Sequence, residues 1–262
     1  ITRLARDNSA PMGDADTWTV FVYMCGSDLE SENGLAVDDI EEMANAYTGD
    51  NVRFVVQTGG STRWNGYDIS ADSLQRFEVT GGGVYLVDEV SDADMGQEQT
   101  LEDFLRWGVQ NYPADKMGVV FWNHGGGSIT GVCFDEKNEY DSLSLTDLDK
   151  AFTSVFDDMT DKFEFVGFDA CLMATVETAN VLVPHARYMI ASEETEPGRG
   201  WDYTEIGRYL DENPGCTGAQ VGKVAADSFY DSCVASDEEA GATLSVTDLS
   251  KIDKLIIAIN NA

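Results

Sequence analysis

Basic residues are scarce in this sequence: its 262 residues carry 16 Lys and Arg against 48 Asp and Glu, a formal charge of −32. Such a surface repels phosphate polyanions, which argues against nucleic acid and anionic membrane surfaces as partners; solubility or adaptation to a salty or crowded environment is the plain reading of the charge, and steering of cationic substrates the other. There are only two histidines, His124 and His185, and no paired metal-ligand spacing, which speaks against a catalytic zinc. Five cysteines are too few and too irregular for a disulfide scaffold, and no Cys-x-x-Cys pair suggests zinc or redox chemistry. No apolar run approaches the roughly 20 residues of a membrane span. The greasy stretch Leu255 to Ile259, flanked by Asp253, Lys254 and Asn260, fits a packed terminal helix. No Gly-Lys-Ser/Thr follows a Gly-rich turn and no Gly-x-Ser-x-Gly elbow occurs, so a phosphate loop and a serine-hydrolase elbow are set aside.

What is present reads as one globular α/β domain. Apolar residues make up 43% and charged residues 24%, and no linker-like shift in composition divides the chain. Residues 1–16 are polar and aperiodic, with Pro11 and Gly13, and read as a tail ahead of a single domain over 17–262. The first residue is Ile1, so any signal peptide lies outside the sequence. Thr17 to Met24 is a nearly continuous β-branched and aromatic run, the signature of a parallel strand buried on both faces. A helix over Leu35 to Tyr47 and a strand over Val52 to Gln57 complete a β-α-β unit. From Gly59 to Val90 the pattern changes to antiparallel hairpin material around Gly81-Gly82-Gly83.

A capping box at Thr100-Leu-Glu-Asp103 opens a helix that ends at Tyr112-Pro113. Strands at Met117–Trp122, Phe163–Phe168, Tyr188–Ala191 and Thr243–Val246 then alternate with helices at Ser144–Met159 and Ala174–Leu182, from Tyr203, from Ala219 and near Lys251. About six strands with helices on both faces predict an open three-layer α/β/α sandwich with a mostly parallel sheet.

Ligands in such sheets sit beyond the carboxyl ends of the strands. One end carries Asn123-His124-Gly125-Gly126-Gly127-Ser128, and another carries Asp169-Ala170-Cys171-Leu172-Met173-Ala174. A cysteine attacks a carbonyl as thiolate and needs an exposed loop, preferably at a helix N-terminus, with an imidazole in reach. Cys171 and His124 have that setting, with the helix expected from Ala174. The glycines after His124 let backbone approach a substrate, so the amides of Gly125 and Cys171 are candidates for an oxyanion hole. Cys25, Cys133, Cys216 and Cys233 read as packing residues with room for one bridge, and His185, between Pro184 and Ala186, as a structural or surface residue.

Trp18-Thr-Val-Phe-Val-Tyr-Met24, Asn123-His-Gly-Gly-Gly127, Asp169-Ala-Cys-Leu-Met-Ala174 and Ala191-Ser-Glu-Glu194, with Pro197-Gly198 and Gly200-Trp201, resemble in order the motifs of the clostripain-like cysteine peptidases, family C11. The likeness runs from about Thr17 to Tyr203. It implies a caspase-like fold in which a His-Cys dyad performs acyl transfer. The separation of His124 and Cys171 is close to the roughly 50 residues found in caspases. The resemblance further implies an endopeptidase cutting after Arg or Lys, with Asp169 as the acid of the specificity pocket and Asp202 as a second candidate. N-capping of the next helix is the other reading of Asp169.

Relatives mature by cutting themselves in the loop after the histidine. Lys137 is the one basic residue of that loop, Val132 to Tyr140, and marks the expected cut into light and heavy chains. No cofactor is required for the chemistry and no metal site is read from the sequence. Structural calcium is a further implication, with Asp92 and Asp94, or Asp135, Glu136 and Glu139, as oxygen donors, although neither group has EF-hand spacing. The resemblance also places the protein outside the cell or in the envelope of a bacterium. Two alternatives stay open: a catalytically silent binding module of the same fold, and a same-fold peptidase with non-basic specificity.

Overall fold

The computed structural model describes residues 17–159 and 161–261, so the expected tail over 1–16 lies outside the described residues. In chain order the elements are β1 (Trp18–Cys25), α1 (Ser27–Asn33), α2 (Leu35–Asn45), β2 (Val52–Gly59), β3 (Ser73–Thr80), β4 (Gly83–Ser91), α3 (Glu98–Asn111), β5 (Lys116–Trp122), α4 (Gly127–Thr130), β6 (Val132–Asp135), β7 (Asp141–Leu143), α5 (Leu145–Val155), β8 (Phe163–Asp169), α6 (Val176–Leu182), β9 (Ala186–Ala191), α7 (Tyr203–Glu212), α8 (Gly218–Ala235), β10 (Ser245–Asp248) and α9 (Ile252–Asn260). The main sheet has eight strands in the order β10-β9-β8-β5-β1-β2-β3-β4. Its centre, β9 to β2, is parallel; β10 and the β3–β4 hairpin flank it antiparallel. The six strands expected from the sequence are therefore present, and the antiparallel hairpin is appended to that sheet at β2, as its pattern suggested.

The central strands are apolar throughout because both faces are covered. Along β1, Phe21, Tyr23 and Cys25 point into one core with α3, α5 and α6. Trp18, Val20, Val22 and Met24 point into the other with α2, α7 and α8. Helices on both faces of a mostly parallel sheet make the expected three-layer, caspase-like sandwich.

Three local expectations change. Helix α3 starts at Glu98, ahead of the proposed capping box, and the Thr100 hydroxyl donates instead to the Asp94 carbonyl at 2.6 Å. The stretch between Trp122 and Ser144 is not a plain loop: it folds into α4 and a short hairpin, β6–β7, whose strands are too brief to show periodicity. In α9 Ile252 is buried, but Leu255, Ile257 and Ile259 are exposed, so the terminal helix is only partly packed. All five cysteines are free, so the one bridge the sequence left room for is not made. Among the described residues no helix is long and apolar enough to cross a membrane.

Candidate active site

The chain runs from β1 outward to β2 and later returns to β5 on the other side of β1. That reversal opens a crevice at the carboxyl ends of the strands. Three neighbouring ends meet there. β8 leads to Cys171, β5 to His124, and β1, through Gly26 and Ser27, to Asp28 in the first turn of α1. Buried Asn123 ties the ends together: its amide nitrogen donates to the Cys25 carbonyl at 2.7 Å, its side-chain oxygen accepts from Phe134 N–H at 2.7 Å, and its own N–H donates to the Asp169 carbonyl at 3.3 Å.

His124 and Cys171 line the same cleft, of about 250 Å3. His124 Nε2 lies 2.9 Å from Asp28 Oδ1. Partial burial would raise the Asp28 carboxyl, but hydrogen bonds from His124 and Ser27 outweigh it and hold the group below its ordinary range. Cys171 is partly exposed, unlike the other four cysteines, and its Sγ accepts the Glu196 N–H at 3.3 Å. Gly125 passes so close that a Cβ there would stand 2.1 Å from the Cys171 carbonyl oxygen, which is why no other residue fits beside the cysteine. Helix α6 begins only at Val176, with Leu172 to Thr175 intervening, so its dipole is not delivered to the thiol as the sequence suggested. Leu172 instead turns the chain with φ +65° and donates its N–H to the Glu194 carbonyl.

The floor of the cleft is acidic. Asp169 is 6% exposed and accepts from the Tyr203 hydroxyl at 2.8 Å and the Trp201 N–H at 3.3 Å. Burial raises its carboxyl to about 6 despite those donors. Gly200, with φ +62°, is required there, since a Cβ would stand 2.9 Å from Asp169 Oδ1. Glu196 faces Asp169, and burial followed by the Asp169 charge pushes it well above its ordinary range. Behind them Asp39, fully buried and bonded to Trp122 Nε1 at 2.5 Å, is also raised by burial and by Asp169. Glu42 is raised to about 7, first by burial.

Not every expected residue comes to the cleft. Asp202 caps α7, accepting from Glu205 N–H at 2.9 Å, and does not line the cleft. Lys137 sits at the tip of the β6–β7 hairpin; its ammonium pairs with Asp92 at 2.6 Å and also bonds the Ala71 carbonyl. Asp135 is buried and receives the N–H groups of Met95 and Lys137, each at 2.8 Å. Among the described residues no three His, Cys, Asp or Glu side chains gather as a metal site, so Asp92, Asp94, Asp135, Glu136 and Glu139 form no common cage. His185 is buried against Asp149 at 2.9 Å and stacks on Phe152, away from the cleft.

Asp28 and Glu196 escaped the sequence reading. Gly26-Ser27-Asp28 also follows directly on an apolar strand, but only the strand order places that end beside the end of β5. For Glu196 the sequence holds no signal, because only the fold of the β9–α7 connection turns its carboxyl inward.

The clostripain-family pattern matches residues 22–262. Clostripain of Hathewaya histolytica is 28% identical over 221 residues, 71% of this chain, while the chain spans only 40% of clostripain's length. Iotapain, a secreted C11 cysteine protease of Bacteroides thetaiotaomicron, superposes with a TM-score of 0.71 at 22% identity, over 93% of this chain and 69% of its own. An inactive zymogen of a C11 protease from Parabacteroides distasonis superposes at 0.69 with 21% identity, over 93% and 65%. At those identities the two structures speak for the shared fold. By the span of the family match, the chain belongs to the clostripain family of cysteine peptidases, C11.

Proposed function

We propose that the protein is a cysteine endopeptidase that cleaves after Arg or Lys, with Cys171 as nucleophile and His124 as acid and base. The single observation that carries this reading is the convergence of Cys171 and His124 on one cleft whose floor is built from carboxyls. The thiolate of Cys171 attacks the scissile carbonyl, and His124 passes a proton to the departing amine. The thioester is then hydrolysed by water that His124 deprotonates. Asp28 holds the imidazole, and the amides of Gly125 and Cys171 are assigned to the developing oxyanion. Asp169 receives the basic side chain through a charge-assisted contact strengthened by the dry floor. Asp202, engaged as a helix cap, is left out of that role.

Two finer assignments belong to the same reading. Self-cleavage after Lys137 yields two chains held by the shared sheet, and it requires the β6–β7 hairpin to release the Lys137–Asp92 pair first. A split that persists in Cys171→Ala would refute autoprocessing. Peptides and proteins are the substrates, the net negative charge disfavours nucleic acid, and export from the cell is proposed on the likeness to a secreted relative.

Covalent trapping tests the reading. A peptidyl acyloxymethyl ketone with Arg next to the warhead is expected to modify Cys171 alone, mapped by mass spectrometry. Labelling of any of the four buried cysteines instead, or of none, contradicts it.

A further inference from the structure

The dyad leaves one group on the cleft floor unexplained. Both carboxyl oxygens of Glu196 and the Nε1 of Trp201 are fully enclosed, and none of the three makes a hydrogen bond of good geometry among the described residues; what faces the Glu196 carboxyl is a second carboxyl, Asp169, and the Trp201 N–H, both close enough to act on it. A buried carboxyl without donors is costly, and folds ordinarily neutralise or pair it. Asp169 beside it is provided for, by Tyr203 and Trp201. Among the described residues no Lys or Arg lines the cleft, and Arg199, the nearest cation along the chain, turns outward to Glu238 and Ser232 at 3.1 Å each. Two carboxyls thus face each other over a cavity with no cation from the described residues between them.

We infer that Glu196 is a second specificity determinant, which clamps a guanidinium jointly with Asp169 and releases a proton to solvent as that cation enters. The inference rests on the basic-pocket reading above and sharpens it toward Arg. A guanidinium presents five N–H donors in a plane and can satisfy two carboxylates at once, whereas an ammonium is a compact point charge that engages one well. Until a cation arrives the pair cannot both ionise cheaply, so one proton stays with it. On entry the O–H bond of Glu196 breaks, the proton leaves to water, and the new carboxylate meets the guanidinium, with the Trp201 N–H as a neighbouring donor.

Position matters as much as charge. The Glu196 main chain is fixed to the nucleophile by its N–H to Cys171 Sγ, so the pocket acid and the attacking sulfur are set by one residue. The groups facing Glu196 are Asp169, the Cys171 thiol and Trp201, with the Tyr203 hydroxyl reaching it through Asp169, and with Asp39 and Glu42 behind Asp169. His124 lines the same cleft.

The test compares fluorogenic peptides ending in Arg, Lys and citrulline, a neutral isostere of Arg, over pH 5.5 to 8.5 with wild type, Glu196→Gln and Glu196→Asp. In wild type, kcat/KM for Arg is expected to climb with pH through a step that the citrulline peptide lacks. Glu196→Gln should lower the Arg-to-citrulline ratio by roughly a hundredfold and flatten that step, and Glu196→Asp should restore part of both. A cooperative thermal unfolding transition like that of wild type verifies that each variant is folded. Glu196→Gln with the wild-type ratio and pH profile overturns the inference while leaving Asp169 as the basic-residue acid. A wild type that does not prefer Arg or Lys over citrulline overturns the basic pocket itself, and with it this inference.

Discussion

Arg76 and Glu196 are both ionisable side chains withdrawn from water, one on the hairpin wing of the sheet and one under its strand ends, and the fold treats them oppositely. Arg76 is 5% exposed and has partners within the protein. Its Nε donates to Gln57 Oε1 at 2.9 Å, its Nη1 to Asp88 at 2.8 Å, and its guanidinium lies 4.6 Å from the Trp107 ring centre. The cavity beside it, about 730 Å3, is larger than the cleft but holds neither cysteine nor histidine. Glu196 has a smaller cavity, the Cys171 sulfur at its backbone N–H, and no counter-charge among the described residues. A buried charge whose partners are all present stabilises or specifies the fold; one whose partner is missing is reserved for a ligand.

Substitutions at the two centres should therefore fail in different ways. The largest effect is expected from Asp169→Asn, which should reduce kcat/KM for Arg peptides by roughly two to three orders of magnitude. The same change should stabilise the free protein by about 1 kcal/mol at pH 8, since it removes one of two facing buried carboxylates. Replacement of the Arg76 partner by Gln57→Leu should do the reverse. Chemical denaturation should show a loss of about 1–3 kcal/mol from the donor left unpaired, with kcat/KM within about twofold of wild type. An activity loss at Gln57 matching that at Asp169 would erase the distinction between the centres.

The pH dependence of stability sharpens the same contrast. A carboxyl raised in the folded protein holds its proton more tightly there than in the unfolded chain, so its contribution is fully present at low pH and is lost as pH rises through the folded value. For Asp169 the window runs from its ordinary 3.8 to about 6, and for Glu42 from 4.5 to about 7. Thermal melts of the free protein should thus fall between pH 4 and 7 on account of the acidic floor, and Glu42→Gln should flatten the slope. Asp28 works with the opposite sign: held low, it contributes above its unfolded value and loses that contribution as pH falls. The smallest effect is expected at this pair. Asp28→Asn should lower kcat about fivefold with KM little changed, because both side chains are one-third exposed or more and such a contact is worth about 1 kcal/mol or less.

Much of this architecture was legible in the sequence. The apolar runs of β1, β2, β5 and β8 identify themselves because a parallel strand covered on both faces has no polar side to show. The loops after β5 and β8 stand out because glycine and histidine, or cysteine, follow directly on such runs. Strand order was not legible, since it depends on pairings between distant segments, and without it nothing says that the end of β1 lies beside that of β5. Asp28 was lost for that reason. The β6–β7 hairpin escaped because its strands are held by Asp135 accepting backbone N–H groups and by Asn123, not by an alternating pattern. Asp169 was assigned through family likeness, and its competing reading as a helix cap does not hold: the carboxylate bonds Tyr203 and Trp201, and α6 is capped by Thr175.

Hydrolysis of short fluorogenic peptides ending in Arg, Lys, Asp or Asn, by wild type and by Cys171→Ala, tests the proposed peptidase most directly. Wild type should turn over the Arg and Lys peptides, and Cys171→Ala should reduce kcat by a factor on the order of 10⁶, as loss of the nucleophile does in acyl-transfer hydrolases. Equal turnover by Cys171→Ala, or turnover confined to the Asp and Asn peptides, would contradict it.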